Sequence, residues 1–159
     1  MRTTVLSIAL AVALSALGSS AHALCIYKGE LYAQPTVSQE FQDSRWVVKA
    51  QVLTATDHFV EGEEPWTEYQ LEVQQAYKGD PPRRLRFFTF RNSGGFYLDR
   101  AQEHDVGGEY LLFLNPTTNT PQFPLAARGT VSVNYSCGAS GLWSSVTVGA
   151  RANLLRLRR

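Results

Sequence analysis

Few side chains in this 159-residue chain are placed to do chemistry, and the two that stand out are its only cysteines, Cys25 and Cys137. A pair of thiols in an oxidising compartment forms a disulfide, so the question is where the chain resides. Arg2, the apolar run Val5 to Leu17 and the small residues of Ala21-His22-Ala23 have the order of a secretory leader. Residues 1–23 are therefore expected to be a signal peptide, with the mature chain starting at Leu24 and exported to the periplasm or the extracellular medium. With no other thiol to compete, Cys25 and Cys137 are expected to pair and close a loop of 137 − 25 = 112 residues. The chain-entropy argument assigns such a loop about 4.7 kcal/mol, and the bridge would pin the new N-terminus to the body of the domain.

The remaining titratable groups give no catalytic constellation. His58 lies in a polar stretch and His104 sits between Glu103 and Asp105, an exposed turn by its surroundings, and no nucleophile motif flanks either. Glu61, Glu63 and Glu64 lack the alternating Asp/Asn pattern of a calcium loop and read as solvated. Arg83, Arg84 and Arg86 beside Phe87 and Phe88 imitate a nucleic-acid surface. Arg2 is the only charge in the leader, so the mature chain carries a formal +1 − 1 = 0, and an exported, neutral domain is expected to bind no nucleic acid. No enzyme activity, cofactor or metal site of its own is expected, and no stretch after the leader is long and apolar enough to insert in a membrane.

Positioning elements follow from periodicity. Pro35 to Ser44 reads as a short helix with Val37 and Phe41 on one face. Trp46 to Leu53 reads as a strand with Trp46, Val48, Ala50 and Val52 on the apolar side. In Trp66 to Tyr77 the alternation places Tyr69, Leu71 and Val73 against Glu68, Gln70, Glu72 and Gln74, one face to a core and one to water. Asp57 to Pro65 reads as the loop between them, Leu85 to Arg91 as a third strand, and Ser93-Gly94-Gly95 as a break. Glu109 to Leu114, apolar on both faces, reads as a buried central strand, and Thr130 to Tyr135 as a last one. Leu142, Trp143, Val146, Leu154, Leu155 and Leu157 suggest a terminal helix whose arginines sit near its C-terminal end. The 159 − 23 = 136 residues from 24 to 159 suit one domain, mainly β, in which short strands form a small barrel with flanking short helices.

Several of these pieces together resemble a known family. The early cysteine, Trp46-Val47-Val48-Lys49-Ala50-Gln51-Val52, Ala76-Tyr77-Lys78-Gly79, Asp105-Val106-Gly107-Gly108-Glu109-Tyr110-Leu111-Leu112-Phe113, and Ser136-Cys137-Gly138 ahead of Trp143 are similar to tissue inhibitors of metalloproteinases and netrin-like domains. The resemblance implies a five- to six-stranded OB-type barrel and a protein partner. In the inhibitors of that family the mature N-terminal cysteine offers its α-amine and carbonyl to the protease's zinc and displaces the attacking water. Carried over, the partner-binding residues are Leu24, Cys25 and Ile26 with Ser93, Gly94, Gly95 and Phe96, and Leu24 or Cys25 would ligate the zinc of a partner metalloprotease. The family begins Cys-x-Cys and bonds its first cysteine to a loop that here is Ser93-Gly94-Gly95-Phe96, which has none. Cys25 then matches the second cysteine of that motif, paired with Cys137. The alternative implied by this departure is a structural or adaptor module in the periplasm or at the cell surface, with no protease target.

Intact-mass analysis after alkylation without reductant is expected to find neither cysteine modified in freshly purified monomer. Two alkylated thiols would eliminate the bridge.

Overall fold

The computed structural model describes residues 26–27, 30–31, 35–91, 96, 98–100, 103–117, 123–134 and 138–158. Residues 1–23, expected to be the leader, and both cysteines of the expected disulfide lie outside these residues. In chain order the elements are β1 (Ile26–Tyr27), β2 (Glu30–Leu31), α1 (Val37–Asp43), β3 (Trp46–His58), β4 (Trp66–Lys78), β5 (Arg84–Phe90), β6 (Asp99–Arg100), β7 (Glu103–His104), β8 (Glu109–Pro116), β9 (Val131–Ser132), β10 (Gly141–Leu142) and α2 (Val148–Leu157).

The architecture is the mainly β barrel expected from the alternation of apolar residues. β3 pairs antiparallel with β4 from Val47 to His58 and with β8 over Trp46 to Gln51, and β5 pairs antiparallel with β4. The ring closes through β9, which runs parallel to β5 at Phe87↔Val131 and antiparallel to β8 at Asn115↔Ser132. Five strands, β8-β3-β4-β5-β9, thus form a closed barrel of OB type, and β10 is an extra strand on the free edge of β8. Register shifts at Val47/Val48, Lys49/Ala50 and Val52/Thr54 let the long β3–β4 ribbon coil tightly enough to close so small a ring.

Apolar side chains are buried in three places. Inside the barrel lie Val48, Ala50 and Val52 with Tyr69, Leu71, Phe87, Leu112 and Val131, the facing read from the period-2 pattern. On one outer face Val47, Tyr77, Leu111 and Phe113 are covered by Phe41 of α1 and Leu154 of α2. β8 is apolar on both sides because it separates these two layers. The same cover buries Val47 completely, although it belongs to the more polar alternate set of its strand. On a second outer face Trp66 and Phe88 lie under Ala127 and Phe123 of the β8–β9 connection.

Local chemistry explains the helices. Thr36 caps α1 in a reciprocal box: its hydroxyl accepts from the Gln39 N–H at 3.2 Å, and Gln39 Oε1 accepts from the Thr36 N–H at 2.9 Å. Lys78 Nζ donates to the carbonyls of Phe41 and Gln42 at 2.6 and 2.8 Å, satisfying the C-terminal end of the helix. α2 begins only after Thr147, whose hydroxyl accepts from the Ala150 N–H. Leu142 and Trp143, read from sequence as helical, instead form β10 and a 3-10 turn, because the free edge of β8 offers a ladder there. Asp57 and His58, read as loop, extend β3 because β4 pairs with both. Of the described residues in the last strand, read as Thr130 to Tyr135, Val131–Ser132 are in the ladder.

Glu40 of α1 is the exception to this apolar packing, at 3% exposure. Its Oε2 accepts from the Ala139 N–H, while Oε1 is buried with no hydrogen-bond partner among the described residues. The chain passes closely enough here that a Cβ on Gly138 would meet Oε1 at 2.7 Å and the Asn134 carbonyl at 2.8 Å, which only glycine permits. Burial pushes the Glu40 carboxyl up, with the Ala139 hydrogen bond opposing and Asp43 adding to the rise. A carboxyl raised by folding binds its proton more tightly in the native state, so stability falls as pH rises from the ordinary glutamate value through the folded one. Glu40→Gln, which keeps an acceptor for Ala139, is expected to melt about 3 °C higher than the parent at pH 8, a gain of about 1 kcal/mol. The two are expected to converge near pH 4, and thermal melts across that range check it.

Candidate functional site

Beyond Val52, β3 leaves the partner β8 and continues only against β4, so the barrel end there is filled by other means. The chain leaves β5 at Arg91, returns at Phe96 and Leu98, and forms the β6–β7 ribbon, which ends on His104. The Asp105 N–H donates to the Leu98 carbonyl at 3.1 Å, and Gly107 and Gly108 bond the Val52 backbone.

Polar side chains from four segments meet at this end. Asp57 Oδ1 accepts from the Thr67 hydroxyl at 2.7 Å and lies 2.9 Å from His104 Nε2. Arg91 Nη1 is 2.8 Å from both Asp57 oxygens, and the Arg91 N–H donates to the Pro65 carbonyl at 2.8 Å. The Tyr69 hydroxyl lies 3.1 Å from His104 Nδ1, with the two rings edge to face. Burial alone would push the Asp57 carboxyl up, but the hydrogen bonds from Thr67 and His104 and the charges of His104 and Arg91 outweigh it and hold the group below the ordinary aspartate range.

The order hydroxyl, imidazole, carboxylate matches that of a nucleophile relay, yet Tyr69 is 1% exposed with its ring inside the barrel. The cluster works as a clamp. Arg91 fixes the point where the chain leaves β5 for residues 92–97. At the far side the half-buried Phe96 ring stands edge-on to Phe87 at 6.4 Å, and Leu98 is in the core. Both flanks of the segment expected to bind a partner are thereby tied to the barrel.

Of the residues expected to bind, Leu24, Cys25, Ser93, Gly94 and Gly95 lie outside the described residues, as does Cys137. Ile26 belongs to β1, opposite Leu31 of β2. Phe96 is the one whose side chain is described, and part of its surface is used in closing the barrel. His104 is not the exposed turn its neighbours suggested, because Tyr69 and Asp57 take both ring nitrogens. His58 stacks flat on Trp66 at 3.8 Å. The arginine-rich strand is paired: Arg86 with Glu68 and Arg83 with Glu72, while Phe123 covers Phe88 edge to face. Glu61, Glu63 and Glu64 are exposed. Among the described residues no group of three or more His, Cys, Asp or Glu side chains is placed to hold a metal ion, and no helix is long and apolar enough to cross a membrane.

The clamp itself was hidden from sequence reasoning. Asp57 and Arg91 are 34 positions apart and Asp57 and His104 are 47 apart, so no local spacing announces them. No protein-family model matches this chain, and no curated protein is similar enough to count as a relative.

Asp57→Asn removes the charge that Arg91 and His104 share. A loss of about 1–3 kcal/mol is expected by denaturant unfolding at pH 7. Because the Asp57 carboxyl is depressed by folding, its contribution is present above the ordinary aspartate value and disappears as pH falls through the folded one. The parent and the variant are therefore expected to approach each other in stability as pH falls below the ordinary aspartate value.

Proposed function

We propose that this chain is an exported netrin-like protein-binding module, and that its partner is a zinc metalloprotease engaged through Leu24, Cys25, Ile26 and the Ser93 to Phe96 loop. The observation that carries the reading is the clamp: both flanks of residues 92–97 are fixed to the barrel, by Arg91 on Asp57 and Pro65 and by Phe96 on Phe87. A recognition loop whose ends are held loses less freedom on binding, which favours affinity. The Asp57–Arg91–His104 network then takes the role that a cysteine plays in the family this chain resembles.

On this reading the Cys25–Cys137 bridge tethers the N-terminus beside the loop. The α-amine and carbonyl of the mature first residue enter the partner's cleft as an extended peptide would, and occupy the zinc position otherwise held by water. The barrel's other surfaces support the assignment. The interior is filled with side chains, and Phe123 and Ala127 cover part of the β4–β5 outer face, where OB barrels commonly take ligands. A structural or adaptor module without a protease target is the second reading, favoured by the absence of a cysteine in Ser93 to Phe96.

The test is inhibition of a panel of zinc endopeptidases by the purified mature protein before and after acetylation of its α-amine. Acetylation removes the lone pair needed for zinc while leaving the barrel folded, and is expected to weaken inhibition at least about a hundredfold, or about 2.7 kcal/mol. Equal inhibition by the acetylated form eliminates the zinc-chelating step. Failure to inhibit any of the panel leaves the adaptor reading in its place.

A further inference from the structure

Charge is segregated along this chain. Residues 50–77 carry six carboxylates, Asp57, Glu61, Glu63, Glu64, Glu68 and Glu72, with no lysine or arginine. Residues 110–159 carry five arginines and neither Asp nor Glu. Asp57, Glu68 and Glu72 pair with Arg91, Arg86 and Arg83, and the three remaining carboxylates stand together at one end of the fold. The β3–β4 turn forms an acidic tip, whereas the opposite end of the same two strands packs on α1 and α2 through Val47 and Tyr77. The thirteen residues of β3 separate them by roughly 40 Å.

Each end also exposes apolar surface. At the tip Phe59 is 71% exposed and Val60 53%, and the exposed Glu61, Glu63 and Glu64 have no ion-pair partner among the described residues. At the other end α2 exposes Val148 at 82% in its first turn and Leu155 at 52% in its last, the latter next to the exposed Arg156. Next to its first turn lies an open groove of about 310 Å³, lined in part by Val37, Leu142, Val146 and Ala150, with room for an aromatic side chain.

We propose that these ends are complementary surfaces of a head-to-tail self-association. The β3–β4 tip of one copy docks on the α2 end of the next, Phe59 enters the groove, and the three glutamates face Arg156 and Arg158. A single molecule cannot satisfy the pairing, because β3 holds its two ends apart. A net charge of only +1 over the whole chain leaves little general repulsion between copies. The contact joins two different patches, so repetition gives open chains or rings. The tip adjoins the exit from β5, where the Arg91 N–H bonds the Pro65 carbonyl and its guanidinium lies 6.0 Å from the Phe59 ring, but the contact uses none of the residues assigned to a protease and stands whether or not that reading does.

Analytical ultracentrifugation of the purified protein over a concentration series tests it. The weight-average mass is expected to rise with concentration at low salt, and molar salt to weaken association about tenfold or more. The tip variant E61K/E63K/E64K and the helix variant R156E/R158E are each expected to be monomeric. An equimolar mixture of the two is expected to associate again, since the reversed tip of one meets the reversed helix of the other. Phe59→Ser should weaken association while keeping its salt dependence. All the substituted positions are exposed, and circular-dichroism melts confirm that each variant folds. A monomer up to millimolar concentration at low salt overturns the proposal, as does association that ignores either reversal or fails to return on mixing.

Discussion

The constraint on which this structure depends is a mismatch of lengths: β3 pairs with β4 from Val47 to His58 but with β8 only from Trp46 to Gln51. Where all three strands run together, a barrel forms around Val48, Ala50, Leu71 and Leu112, and its outside can be sealed by two short helices. Where β8 is missing, the backbone of β3 would lose its partner and the core its wall. Val52 is instead bonded by Gly107 and Gly108, and Phe96 and Leu98 close the opening. The position of Phe96, the candidate binding residue described after β5, follows from the need to fill that gap.

The two perturbed carboxylates show how differently one side chain type can be used in such a fold. Glu40 accepts from a backbone N–H with one oxygen, and its other has no partner among the described residues, so burial dominates. Asp57 receives a hydroxyl, an imidazole and a guanidinium, so the charged form is favoured although it is partly buried. The first holds α1 against the segment after residue 137, and the second holds the exit from β5. Hydrogen bonds decide the difference, since both groups pay a desolvation cost.

Much of the barrel was legible because burial in a sheet imposes a period of two. Tyr69, Leu71 and Val73 announce a one-faced strand, and Leu111 to Leu114 a two-faced one. Val47 was harder, because what buries it is a pair of helices, α1 just before it in the chain and α2 far beyond it. The extension of β3 through Asp57 and His58 was lost in a polar composition that resembles a loop, and only pairing with Trp66 and Thr67 makes it a strand. The clamp was invisible for a related reason. Arg91 and His104 acquire meaning from Asp57, and nothing in the identity of a residue says which distant group it will meet.

The parallel contact that completes the ring has a consequence of its own. β3, β4 and β5 are neighbours in sequence and can zip together as successive hairpins, with little loss of loop entropy at each step. β9 must reach β5 across the span from Phe87 to Val131, and does so through one ladder pair. The molecule is thus a three-stranded meander fastened by a short latch. The opening of lowest free energy is expected at that latch, an excursion in which the ring becomes an open sheet while β3, β4 and β5 stay paired.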